Sequence, residues 1–88
     1  MIRRRVIVRG RVQGVFFRDS LRRLAAQHGV SGSAVNRGDG AVEAVFEGEP
    51  DAVEALVEFC DQGPARARVD GVEQLDEPPE GLQGFRIA

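Results

Sequence analysis

The sequence predicts an α+β sandwich: an antiparallel sheet with two helices on one face, in the order β-α-β-β-α-β with a short C-terminal β tail. Three observations carry that expectation. Two segments show an apolar stripe at helical spacing, the tetrad Arg37-Gly38-Asp39-Gly40 joins two extended segments as a tight turn, and each helical segment lies between extended ones. A chain of 88 residues buries one core, so a single domain over residues 1–88 is expected.

Arg3 to Arg9 reads as the first strand, with Val6 and Val8 on one face and Ile7 on the other. A glycine-punctuated loop follows, then a helix from Phe17 to His28 whose stripe is Phe17, Leu21, Leu24, Ala25 and His28. Gly29 ends it in the left-handed position, and His28, closing the stripe at the negative end of the helix dipole, reads as structural. Ser31 to Arg37 is a second strand and Ala41 to Glu47 a third, its Val42, Ala44 and Phe46 alternating with Glu43 and Glu47. Glu49-Pro50-Asp51 opens a second helix, Pro50 fitting the first turn and the acids its positive end. Val53, Leu56, Val57 and Cys60 form its buried stripe, and Gly63-Pro64 stops it. Arg66 to Leu75 is extended, Asp76 to Gly84 reads as a loop, and Phe85 to Ala88 is a terminal edge strand. Two helices on one face of a sheet in this order make a ferredoxin-like sandwich.

Composition narrows the function. With 42% hydrophobic and 30% charged residues, and no apolar run of spanning length, the chain reads as a globular domain without a membrane partner. Only Val6 to Val8 separate the basic N-terminus from the next arginine, too short for a signal peptide, so a cytoplasmic protein is expected. One cysteine and one histidine leave no disulfide and no Cys/His metal site, and no cofactor is called for. All twelve basic residues are Arg; residues 1–40 carry nine of them against Asp19 and Asp39, whereas the rest of the chain carries three against twelve acids. Either that basic half attracts a small anion or the two halves interleave in one sheet and neutralise each other. The net charge of -2 argues against nucleic acid, as does a first strand with no aromatic residue on which a base could stack. Arg3 to Arg5 read as a solvated strand end that could add to an anionic ligand's field, and polar helix faces favour a monomer.

The chemistry concentrates in Gly10 to Arg18, where a loop feeds a helix N-terminus. Glycines at 10 and 14 let main-chain N–H groups turn inward, and the first N–H groups of a helix have no partner within it. A cation in the first helical turn is at the unfavourable end of the dipole, so Arg18 suggests an anion between it and the backbone donors. The competing reading makes Arg18 a solvated surface residue paired with Asp19 or another carboxylate. Asn36 by itself is the last strand residue before a glycine-rich turn, and Phe16 and Phe17 read as packing residues.

Gly10-Arg11-Val12-Gln13-Gly14-Val15-Phe16-Phe17-Arg18 fits G-x-V-Q-G-V-x-F-R at every fixed position, and on that signature the chain resembles the acylphosphatases. The similarity continues through Asn36 to Ala44, Gly63-Pro64, Ala67-Arg68-Val69 and Phe85-Arg86-Ile87, so it spans essentially the whole chain. The resemblance implies a single acylphosphatase-like domain that hydrolyses the carboxyl-phosphate mixed anhydride of small acyl phosphates. It further implies that Arg18 binds the phosphate, that Asn36 positions the attacking water, and that Gln13, Gly14, Val15, Phe16 and Phe17 form the backbone cradle. In the family's second signature an aromatic residue and a basic one usually stand where this chain has Ser33 and Val35.

The leaving carboxylate is stable at neutral pH, so the reaction needs no general acid, metal or cofactor, and charge neutralisation with positioning is enough. A nucleotide-binding P-loop would need a lysine that the chain lacks, and a Cys-based phosphatase would need its thiolate in the loop, whereas Cys60 belongs to the second helix. The alternative from another class is a non-catalytic small-anion-binding or regulatory module on the same fold.

Overall fold

A computed structural model describes residues 1–88. It contains β1 (Ile2–Arg11), α1 (Phe17–His28), β2 (Ser31–Asn36), β3 (Val42–Gly48), α2 (Pro50–Gln62), β4 (Arg68–Glu77) and β5 (Phe85–Ile87), joined in one sheet of order β4-β1-β3-β2-β5. Each helix crosses from one strand to a parallel strand two positions away: α1 takes β1 to β2 past β3, and α2 takes β3 to β4 past β1. Val6, Val8, Val42, Ala44 and Phe46 on the covered face meet Phe17, Leu21 and Ala25 of α1 and Val53, Leu56, Val57 and Cys60 of α2. Both helices end where a glycine follows the stripe, Gly29 adopting the left-handed conformation and donating to the Ala25 carbonyl oxygen. No helix is long and apolar enough to cross a membrane.

The tail departs from an all-antiparallel sheet. β5 runs parallel to β2, pairing Gly32 with Phe85 and Ala34 with Ile87, so the sheet is mixed. β4 extends to Glu77, two residues into the segment expected to be loop, and ends at the opposite edge from β5. The chain must therefore cross the end of the sheet before its last strand. Phe85 then stacks its ring on Phe46, with centroids 6.0 Å apart.

Glu47 holds that crossing in place. Strict alternation puts its side chain on the face away from the helices, where solvent is expected, yet it is 2% exposed because the crossing segment lies over it. Its carboxylate accepts the main-chain N–H groups of Glu80 (2.7 Å), Gly81 and Leu82 (both 2.8 Å). Beside it Arg3, only 7% exposed, donates Nε to Glu77 (2.9 Å) and lies 3.6 Å from Glu47. Arg4 pairs with Glu54 and Asp76, and Arg5 with Glu43 and Glu77, so this strand end is an ion-pair network instead of a solvated one. The basic and acidic halves interleave, and most of their charge is neutralised within the sheet.

The network sets an acid limit on stability. Hydrogen bonds from Arg5 and then Arg3 hold the Glu77 carboxyl at about 2, against an ordinary 4.5, and the N–H groups of the crossing segment, led by that of Glu80, depress Glu47. A carboxyl depressed by folding stabilises the native state above its unfolded value and loses that contribution as pH falls toward its folded value. Stability is therefore expected to be intact at pH 5 and to erode between about pH 4.5 and 2. Glu47→Ala, which strands three N–H donors and removes a partner of buried Arg3, is expected to lower Tm at pH 7 by on the order of 10 °C. It should also abolish amide protection at residues 80–82, and melting curves with hydrogen exchange across this pH range check both statements. Unchanged protection in the variant would mean that the segment is held by other contacts.

Candidate active site

Where β1 leaves the sheet its pairing with β4 slips by one residue between Arg9 and Gly10. Gly10 is required there: at φ 130° an added β-carbon would fall 2.2 Å from the Arg68 main-chain oxygen. The loop that follows is tacked down by three side chains. Val12, Val15 and Phe17 are buried, with Phe17 edge-on to Phe59 at 6.0 Å, while Gly14 and Phe16 face outward. Gln13 turns aside, its amide nitrogen donating to the carbonyl oxygens of Arg37 (2.7 Å) and Ala41 (3.0 Å), which binds the loop to the β2–β3 hairpin. The hairpin turn is itself tight, since Arg37 N–H donates to Ala41 and Ala41 N–H to the Asp39 carboxylate.

Backbone angles show what this bracing maintains. Gly14 has φ 74° and Phe16 φ 66°, the only non-glycine residue with positive φ, so the sign of φ alternates over residues 13–17. Alternation of that kind turns successive N–H groups to one concave side, an anion-binding nest. None of the main-chain hydrogen bonds outside helices and strands uses an N–H from residues 13–16, and α1 has no side-chain N-cap. The donors of the loop and of the helix start ahead of Ser20 are thus free. A left-handed conformation costs a residue with a β-carbon about 1–2 kcal/mol. Ser20 secures it at Phe16 by donating its N–H (3.0 Å) and hydroxyl (2.8 Å) to the Phe16 carbonyl oxygen.

Five of the seven residues singled out from the sequence, Gly14, Phe16, Phe17, Arg18 and Asn36, line one cleft of about 230 Å³ together with Val12, Asp19 and Ile87. Gln13 and Val15 do not line it: the first is turned to the hairpin and the second is buried. Arg18 does not pair with Asp19, whose carboxylate is taken by Arg22 (2.5 Å) and Arg23 (2.8 Å). Its guanidinium donates instead to the main-chain oxygen of Ala88, placed there by β5. Asn36 is exposed at the end of β2, two positions beyond the pairing of Ala34 with Ile87.

Two residue readings are corrected here. Phe16 does not pack: it is 69% exposed, because the conformation that builds the nest swings its side chain outward. His28 is also exposed, the buried part of the α1 stripe ending at Ala25. It lies at the far end of α1 from the cleft, ~16 Å away at 1.5 Å per residue, and cannot act there. Cys60 is fully buried and its thiol is pushed up to about 12 by that burial, so it is no nucleophile. Ile87 was not singled out as a site residue; only the pairing of β5 with β2 brings it to the cleft.

The family model for acylphosphatases matches residues 4–87. An acylphosphatase from Rubrobacter xylanophilus is 58% identical over 84 residues, covering 94% of this chain and 76% of its own length. This chain belongs to the acylphosphatase family. The crystal structure of acylphosphatase from Bacillus subtilis superposes with a TM-score of 0.95 at 35% identity, over 100% of this chain and 99% of that one. A solved acylphosphatase from Coxiella burnetii gives 0.93 at 37% identity, over 99% and 92%. The protein is therefore an enzyme with acylphosphatase function, and the ferredoxin-like α+β fold expected from its element order is the fold of its relatives. A non-catalytic module is no longer the reading to prefer.

Proposed function

We propose that the chain hydrolyses small acyl phosphates by attack of water on phosphorus, with the phosphate held by Arg18 and the N–H groups of residues 13–18 and the water oriented by Asn36. The observation that carries this reading is the convergence on one cleft of a free N–H nest, an arginine not engaged by the neighbouring Asp19 and an exposed asparagine. The N–H groups and the guanidinium neutralise charge on the non-bridging oxygens. Asn36 accepts a hydrogen bond from the water and keeps it in line with the scissile bond. As the new P–O bond forms, the bond from phosphorus to the acyl oxygen breaks and its electron pair leaves on the carboxylate. The water's proton passes to a phosphate oxygen, giving RCOO⁻ and H₂PO₄⁻ from the acyl phosphate dianion and water.

A carboxylate is a stable leaving group at neutral pH, so no acid is needed to protonate it. Asp19, the one carboxylate in the cleft, is committed to Arg22 and Arg23. Hydrolysis of benzoyl phosphate is expected to proceed at full rate in EDTA, and in ¹⁸O-water the label is expected in inorganic phosphate. Label in benzoate would place the attack on the carbonyl carbon and overturn the mechanism. We also read the protein as a cytoplasmic monomer. β4, an edge strand, carries the exposed Asp70, Glu73 and Asp76, which discourage pairing with another chain, and β5 is only three residues long.

A further inference from the structure

Of the five phenylalanines only Phe16 is exposed, at 69%, while the backbone it occupies is one that glycine adopts without strain. The nest needs the angle and the fold does not need the ring. That leaves an aromatic side chain beside the cleft with no structural role, standing with Val12, Phe17 and Ile87 as its apolar part, while Gly14, Arg18, Asp19 and Asn36 supply the polar part. With phosphate in the nest, the acyl group must emerge two bonds away, within reach of a side chain at the cleft's rim.

We propose that the Phe16 ring, sharing the cleft with Ile87, is the platform for the acyl group and makes the enzyme selective for acyl phosphates with planar or extended apolar acyl groups. This rests on the acyl-phosphate reading above. A flat acyl group covers the ring and leaves water with it, whereas an acetyl group reaches too little of it to gain. Selection then acts through kcat/KM and depends on the side chain, not on the phosphate contacts.

The test is the ratio of kcat/KM for benzoyl phosphate to that for acetyl phosphate, with the inhibition constant of inorganic phosphate as the gauge of the nest. Phe16→Gly and Phe16→Asn both suit a left-handed backbone and both remove the ring; each is expected to lower the ratio about tenfold. Phe16→Tyr keeps the ring and is expected to stay within about twofold of the native ratio. If the ring acted only through the backbone, both substrates would decline together, phosphate inhibition would weaken and the ratio would hold, which overturns the proposal. A native protein that turned over neither substrate above the spontaneous rate would overturn the acyl-phosphate reading, and this inference with it.

Discussion

Arg18→Ala is expected to reduce kcat/KM for any acyl phosphate by about 10³-fold or more, the scale seen where a single guanidinium neutralises a transferring phosphoryl group. The cleft contains no other cationic side chain, and its N–H donors supply partial charges only. The guanidinium makes one hydrogen bond, to the Ala88 main-chain oxygen, and no ion pair with Asp19. Turning it to a phosphate gives up that one contact and leaves the Asp19 pairs with Arg22 and Arg23 untouched, so its removal should leave the melting temperature nearly unchanged. Arg18→Lys is expected to recover little, because an ammonium is a point charge and cannot span two phosphate oxygens with a planar fork. Steady-state kinetics alongside melting curves check the result; a folded Arg18→Ala protein with activity within tenfold of native would remove Arg18 from the mechanism.

What could be read from the sequence follows the range of the interactions involved. The α1 boundaries, the Val53-Leu56-Val57-Cys60 stripe and the turn at Arg37 to Gly40 are set by residues within one or two helical turns or one hairpin, and the structure has them as expected. The loop was equally legible, since glycine spacing and the helix N-terminus both act locally. Three features were not. Direction and partner of β5 depend on a segment crossing the whole sheet, and nothing near Phe85 encodes that crossing. Alternation assigned Glu47 to the face away from the helices, correctly, but could not reveal that residues 80–82 would cover it. Arg3 and Glu77 are 74 residues apart in sequence, so a charge pattern that looks like a basic half and an acidic half becomes a set of ion pairs only in three dimensions.

Phe16 was misjudged for a different reason. An aromatic residue in a loop is ordinarily there to pack, and its neighbour Phe17 does. Only the φ angle, invisible in the sequence, shows that adjacent positions of one signature serve opposite ends: Phe17 fixes the loop to the core and Phe16 is turned away from it. The same division runs through the loop, where Val12 and Val15 anchor while Gly14 opens. The packing of this enzyme and its chemistry are thus interleaved residue by residue.

Asn36→Ala is the second variant with a large expected effect, about 10²- to 10³-fold in kcat. It differs from the arginine variant in where the loss falls. Asn36 stands at the end of β2, on the hairpin that Gln13 ties to the nest, so in the proposed mechanism it has a fixed position relative to the phosphate without binding it. Its loss should leave KM and phosphate inhibition within about threefold of native, because only a contact that matures in the transition state is removed. The carboxamide does not titrate, and no unpaired carboxylate or histidine stands in the cleft to act as a base. The kcat profile of native and variant alike should therefore show no enzyme group with a pKa near neutrality, only the ionisation of the substrate's phosphate. Asn36→Asp should be worse than Asn36→Ala in KM, since a second negative charge would then face the phosphate dianion. Rates measured from pH 5 to 8 for the three proteins decide the matter: a bell-shaped native profile that Asn36→Ala flattened would mean that the residue positions a titrating base, and the direct transfer of the water's proton to phosphate would be wrong.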